Sequence, residues 1–260
     1  MHIFLVNDDG IGSKGIMALA RAAVAKGHKV SMCAPAFQQS AASQRISLIE
    51  PIYVEPYPVA EEGLAAAYAI KGTPTDCVRL GLLDLIREPV DVLISGINDG
   101  YNAGMAVHYS GTVSAAREGS LNRIPSIAAS ISYRATPEML EHFAAYVIRV
   151  AEEYRSFEIS PAMVLNINAP FCQPEALLSP VFVPLSKANY VDSYLRRESP
   201  RAGVYYWLES GAQTEPSAEG SDQDMLEKGH ITLTCMGNPV EFGTPSHPFA
   251  EACQKLSKEI

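Results

Sequence analysis

His2-Ile3-Phe4-Leu5-Val6-Asn7-Asp8-Asp9-Gly10 is the stretch on which the fold turns. The run His2–Val6 is short, apolar and rich in Ile and Val, and the turn formers Asn7, Asp8, Asp9 and Gly10 stop it. That pattern predicts a buried strand that ends in acid. Beyond it, Ile16, Leu19, Ala20, Ala23 and Val24 recur at helical spacing, and Gly27 supplies a C-cap. Residues 29–33 read as a second strand, stopped by Pro35. Strand, helix and strand in succession make a βαβ unit, which places its strands parallel.

The same alternation continues along the chain. Thr73-Pro74-Thr75-Asp76 combines an N-cap, a proline at the first helical position and an acid at the third. Val78, Gly81, Leu82, Leu85 and Ile86 share one face of the helix it opens. A buried strand follows over 91–94, then a loop of small residues and a helical segment over about 113–121. Residues 125–131 read as a strand. Thr136-Pro137-Glu138 then caps a helix whose stripe is Leu140, Phe143, Ala144, Val147, Ile148 and Ala151, and 163–167 is the next strand. The predicted class is α/β, with a doubly wound, mostly parallel sheet.

Past Pro170 the helical period fades. Residues 171–240 are rich in Pro, Ser, Gly and Glu around an aromatic island at Tyr205-Tyr206-Trp207, and so long a stretch exceeds a plain loop. β-Hairpins or an arm reaching into a partner subunit are expected there. A C-terminal helix over 241–260 completes a single domain of residues 1–260, whose core spans about 1–170.

The formal net charge is -9. Such a chain lacks the clustered Lys and Arg that neutralise duplex phosphates, so no duplex nucleic-acid partner is expected. A single phosphate stays compatible where a cation or a helix N-terminus supplies local positive potential. No apolar run approaches the roughly 20 residues that span a bilayer, and the first residues lack the features of a secretory leader. The cysteines (Cys33, Cys77, Cys172, Cys235, Cys253) are scattered without CxxC spacing. That argues against a disulfide framework or a zinc site and for a reducing, cytoplasmic setting.

Open α/β sheets bind ligands outside the carboxyl ends of their strands. Three such ends carry Asn7-Asp8-Asp9-Gly10, Pro35 through Ser40, and Ser95-Gly96-Ile97-Asn98. Asp-Asp-Gly alone is commonly a solvated turn, Ser40 alone a cap and Asn98 alone a left-handed turn residue. Their coincidence at three strand ends points to a site. Adjacent carboxylates repel and lose hydration when partly buried, and a cation relieves both. Asp8, Asp9, Ser40 and Asn98 offer only oxygen, which suits Mg²⁺, Mn²⁺ or Ca²⁺. Gly100-Tyr101-Asn102-Ala103-Gly104 and Tyr109-Ser110-Gly111-Thr112-Val113 follow. Ser-Gly-Thr opening a helix presents hydroxyls and backbone N–H groups to an anion. A Walker lysine is absent, which disfavours a P-loop NTPase, and Gly10 and Gly12 do not complete GxGxxG.

At these motifs the chain resembles the survival protein SurE family of 5′/3′-nucleotidases. Asn7-Asp8-Asp9-Gly10-Ile11, Ala34-Pro35 with Ser40, Gly72-Thr73-Pro74 with Asp76-Cys77-Val78 and Ser95-Gly96-Ile97-Asn98 carry the likeness. So do Gly100, Asn102 and Gly104, Tyr109-Ser110-Gly111-Thr112-Val113, and Leu165-Asn166-Ile167-Asn168. The resemblance implies a Rossmann-like core and one divalent cation per subunit on Asp8, Asp9, Ser40 and Asn98. It also implies hydrolysis of nucleoside 5′- and 3′-monophosphates, in a homodimer or homotetramer joined through C-terminal segments. Ala106 departs from the family's usual Asp, and His108 from a usually apolar neighbour.

On this reading Asp8 or Asp9 orients or deprotonates the attacking water while the other mainly holds the cation. Asn102, Ser110, Gly111 and Thr112 hold the phosphoryl oxygens. The alternative is a nucleotide-binding regulator with little or no turnover, which Ala106 keeps in view.

Overall fold

Every residue of β1 (His2–Val6) is buried, and alternate side chains enter different cores. Ile3 and Leu5 belong to one, Phe4 and Val6 to the other, as in any strand covered on both faces. A helical layer must therefore lie on each side. The computed structural model describes residues 1–58, 63–157, 163–172, 176–188, 190–213 and 216–237, and both layers are present. The helices of these layers are α1 (Lys14–Ala25), α2 (Pro74–Leu80), α3 (Gly111–Leu121) and α4 (Pro137–Tyr154). α1 packs against α4 on the Ile3 face and α2 against α3 on the Phe4 face. No described helix is long and apolar enough to cross a membrane. The helix expected over 241–260 lies outside the described residues.

The other strands are β2 (Lys29–Pro35), β3 (Tyr53–Pro56), β4 (Leu64–Lys71), β5 (Val92–Asp99), β6 (Ser126–Ile131) and β7 (Val164–Ala169). β8 (Leu178–Phe182), β9 (Tyr190–Ser199), β10 (Gly203–Gln213) and β11 (His230–Met236) complete the set among the described residues. The main sheet runs β3-β4-β2-β1-β5-β6-β7-β11-β8. Its centre, from β4 to β7, is wholly parallel. β3 is antiparallel to β4, and β11 antiparallel to β7. The strand order steps outward in opposite directions from β1 and β5, so the switch point of this doubly wound sheet lies between them.

Local signals placed the helices. Thr73 and Asp76 form a reciprocal capping box, with Asp76 N–H donating to Thr73 Oγ1 at 3.1 Å and Thr73 N–H to Asp76 Oδ2 at 2.9 Å. The same carboxylate accepts Ser47 N–H and its hydroxyl. Burial would raise the Asp76 pKa, but these bonds outweigh it and hold the group below its ordinary value. α2 gives way to a π turn over Gly81–Leu85 where the sequence predicts one continuous helix. A Cβ on Gly81 would sit 2.5 Å from the Phe4 ring, so the chain approaches β1 too closely for any side chain there.

The described residues of the stretch 171–240 divide in two. β8, α5 (Asp222–Glu227) and β11 stay with the main sheet. β9 and β10 form a separate antiparallel hairpin that leaves Tyr194, Tyr206, Trp207 and Leu208 exposed.

Gly15 shows how tightly α1 sits on the sheet. A Cβ there would lie 1.9 Å from the Ile97 carbonyl oxygen. Gly15→Ala is therefore expected to lower stability by about 2 kcal/mol or more. A reduced urea midpoint with an unchanged m-value would show it; an unaltered midpoint would mean that α1 can lift away freely.

Candidate active site

The site begins with a turn that Asn7 builds. Its side-chain amide donates to the Gly10 carbonyl at 2.9 Å and to Ser13 Oγ at 2.7 Å, and Gly10 N–H returns to Asn7 Oδ1 at 3.2 Å. Backbone bonds tie this turn to the loop after β2: Gln39 N–H donates to the Asp8 carbonyl at 2.7 Å, and Ile11 N–H to Pro35 O at 2.9 Å. Two adjacent carboxylates are thereby fixed at the switch point.

They face different surroundings. Asp8 is 4% exposed and docks on the start of α3, where Thr112 gives it both its hydroxyl and its backbone N–H. Burial lifts its pKa to about 6; the Thr112 hydroxyl opposes that rise and the neighbouring Asp9 charge adds to it. Asp9 is half-buried. Its oxygens accept Gln38 Nε2 at 3.4 Å and Asp99 N–H at 3.2 Å. Burial raises its pKa as well, the Asp99 N–H opposes, and the Asp99 charge pushes further up.

Ser40 reaches the same place through Gln38, whose Nε2 also donates to Ser40 Oγ at 3.0 Å. Asn98 arrives by an irregularity in β5. The register with β6 shifts between Ser95 and Asn98, at Gly96, where φ is 134° and a Cβ would lie 2.2 Å from the Ala129 carbonyl oxygen. Only glycine fits that backbone and that gap. Asn98 Nδ2 donates to Gly100 O at 2.7 Å, and its neighbour Asp99 contacts Asp9. The four predicted cation ligands thus follow or end β1, β2 and β5, with Asp9 and Ser40 joined through Gln38 and Asn98 bonded to Gly100. Among the described residues no group of three or more His, Cys, Asp or Glu side chains is placed to hold a metal ion. The donors are two crowded carboxylates and neutral oxygens, which fit a hard divalent cation.

The residues expected to hold phosphate are already engaged. Ser110 Oγ accepts Val113 N–H at 3.1 Å and caps α3, which leaves its own hydroxyl proton to donate. The Thr112 hydroxyl proton goes to Asp8. Gly111 is buried at the helix start, where an N–H lacks an intrahelical partner. Asn102 is buried, and its amide donates to Ser130 Oγ at 2.8 Å. Its carbonyl accepts the Asn166 and Asn168 amides, and its N–H donates to Asn168 Oδ1. Asn166 and Asn168, two apart on one face of β7, therefore clamp the loop that leads to α3.

Three contributors escaped the sequence reading. Gln38 links Asp9 to Ser40. Asp99 both holds and repels Asp9. Asp222 of α5 accepts Gly104 N–H at 2.7 Å and Ser186 N–H at 2.7 Å, bracing the loop from its far side. Gln38 and Asp99 adjoin residues that were singled out; Asp222 lies in the region without clear period. Asp9, Lys14, Gln38, Asp99 and Tyr133 line a cleft of about 370 Å³, within the range of small-molecule pockets.

A doubly wound sheet with paired acids and a helix N-terminus at its switch point defines an α/β protein whose strand ends carry a crowded acidic site. The comparisons narrow this class. The family model described as Survival protein SurE matches residues 3–192. "5'-nucleotidase SurE" of Desulfovibrio desulfuricans is 37% identical over 98% of this chain and 99% of its own. That of Solidesulfovibrio magneticus is 38% identical over 90% of each. Among solved structures, the SurE protein from Aquifex aeolicus matches with a TM-score of 0.74 at 29% identity, covering 94% of this chain and 95% of that one. The chain belongs to the SurE family.

Proposed function

We propose that the chain is a divalent-cation-dependent phosphomonoesterase that hydrolyses nucleoside 5′- and 3′-monophosphates to nucleoside and phosphate. The observation that carries this is the placement of Asp8 and Asp9 at the switch point beside the start of α3. The relatives named 5'-nucleotidase support its 5′ part.

Asp8, Asp9, Ser40 and Asn98 would hold one Mg²⁺, Mn²⁺ or Ca²⁺ per subunit. When bound, that cation would offset phosphoryl charge and acidify a water. Asp9 opens on the cleft, and its raised pKa suits it to orient the attacking water and accept its proton. Asp8 is held by Thr112 and serves as an anchor. The Ser110 hydroxyl and the Gly111 N–H would donate to phosphoryl oxygens, with Asn102 and Thr112 fixing the frame around them.

The exposed Tyr194, Tyr206, Trp207 and Leu208 on the β9–β10 hairpin suit a homodimer or homotetramer, since an isolated two-stranded hairpin is marginal in water. The expected setting is the cytoplasm.

Phosphate release from AMP, GMP and their 3′ isomers, with Mg²⁺ or Mn²⁺ and with chelator, tests the reading. Release that requires the metal is expected from at least one 5′ and one 3′ substrate. Nucleotide binding without release from any of them would make the chain a nucleotide-binding regulator instead.

A further inference from the structure

The cleft that Asp9 lines is lined also by Tyr133, in the turn between β6 and α4. A second cavity of about 390 Å³ shares Ser132 and Tyr133 with it and is walled by Tyr101, Ala106, Arg134 and Phe171. The turn is firmly held. Ser132 N–H donates to Ala169 O at 3.2 Å, Ala135 N–H to Ser132 O at 2.9 Å, and Arg134 N–H to Ser132 Oγ at 3.3 Å. On this turn the Tyr133 ring stands 74% exposed.

Its neighbours are not random surface. The Arg134 guanidinium lies 6.0 Å from the Tyr133 ring centre and 5.7 Å from that of Phe171. Phe171 N–H donates to the Tyr101 hydroxyl at 3.0 Å. Tyr101 and Phe171 are 40% and 42% exposed. Arg134 has no salt bridge among the described residues. Single exposed aromatic residues are ordinary. Two rings around one cation without a salt bridge among the described residues, with Tyr101 hydrogen-bonded beside them and Tyr133 on a cleft that Asp9 also lines, need another account.

We propose that Tyr133, Arg134, Phe171 and Tyr101 form the nucleoside subsite of this protein. A base stacks on the open Tyr133 ring, while Arg134, lodged between Tyr133 and Phe171, donates to the base edge or the ribose. The proposal rests on the nucleotidase reading above and adds the element that makes the substrate a nucleotide. Every base has a π-face, so a stacking platform accepts all four bases and rejects phosphomonoesters that lack one.

Steady-state kinetics of the full chain on AMP and on ribose 5-phosphate test this, with calorimetric titration of adenosine into chelator-treated protein as a second readout. Tyr133→Ala is expected to raise KM for AMP about tenfold, with kcat/KM for ribose 5-phosphate unchanged. Tyr133→Phe should restore KM for AMP, and Arg134→Ala should raise it. Adenosine binding should weaken about tenfold in Tyr133→Ala. Equal loss on both phosphoesters, or AMP kinetics and adenosine binding that ignore Tyr133, would overturn the subsite. If no phosphoester is hydrolysed yet adenosine binding depends on Tyr133, the subsite stands and the hydrolase reading falls.

Discussion

Asp9→Asn is expected to reduce metal-dependent phosphate release from AMP by about a thousandfold or more, with the fold intact. Its contacts are few: the Gln38 amide and the Asp99 N–H, both donors that an asparagine Oδ1 can still satisfy in part. What the variant loses is charge for the cation and basicity for the water, and general-base catalysis with metal assistance accounts for losses of about that size. Unchanged circular dichroism and thermal midpoint would accompany the loss. Retained turnover would remove Asp9 from the chemistry.

Asp8→Asn should behave differently, because Asp8 carries its charge almost wholly buried. Its pKa stands at about 6 in the folded chain against an ordinary 3.8, chiefly through burial. Between those values the folded state binds more protons than the unfolded one, so stability falls as pH rises through the window. Below the lower value there is no effect, and above about pH 6 the penalty is constant. The difference corresponds to about 3 kcal/mol, of which about 2 should be visible. In chelator at pH 8, Asp8→Asn should therefore have the higher urea midpoint, while at pH 4 the two proteins should coincide. Saturating divalent cation should narrow or reverse the order, since only the wild type gains the full ligand. A variant less stable than wild type at pH 8 in chelator would mean that Thr112 and the α3 N-terminus more than offset the burial. The variant should also be inactive.

The elements legible in the sequence were those with local causes. The β1 run, the Thr73 box and the Thr136 cap each carry their own start or stop, and the structure places them within a few residues. β4 is different. Leu64–Lys71 contains four alanines and no period of two, and alanine is the best helix former. It is a strand because it pairs in parallel with β2 along Ser31–Pro35, a contact that local reading cannot supply. β3 ends in Pro56 and survives at the sheet edge, where a missing N–H costs little. β11 is set by long-range pairing with β7.

At the site, the acids and Ser40 were readable from their positions at strand ends. The Gln38 bridge, the Asn166–Asn168 clamp and the Asp222 brace depend on where side chains from distant segments meet. Asn98 was readable, yet the register shift that delivers it was not, because it follows from the close approach of Gly96 to Ala129 on the neighbouring strand.

The alternation that sends Ile3 and Leu5 one way and Phe4 and Val6 the other persists beyond the end of β1. Asp8, even-numbered like Phe4 and Val6, meets α3; Asp9, odd-numbered like Ile3 and Leu5, meets the cleft beside α1 and α4. The two acids are therefore not a redundant pair but one residue for each layer of the protein. Inserting or deleting a single residue in β1 would exchange their duties along with both cores, so the parity of a five-residue strand ties the chemistry of the site to the packing of the whole molecule.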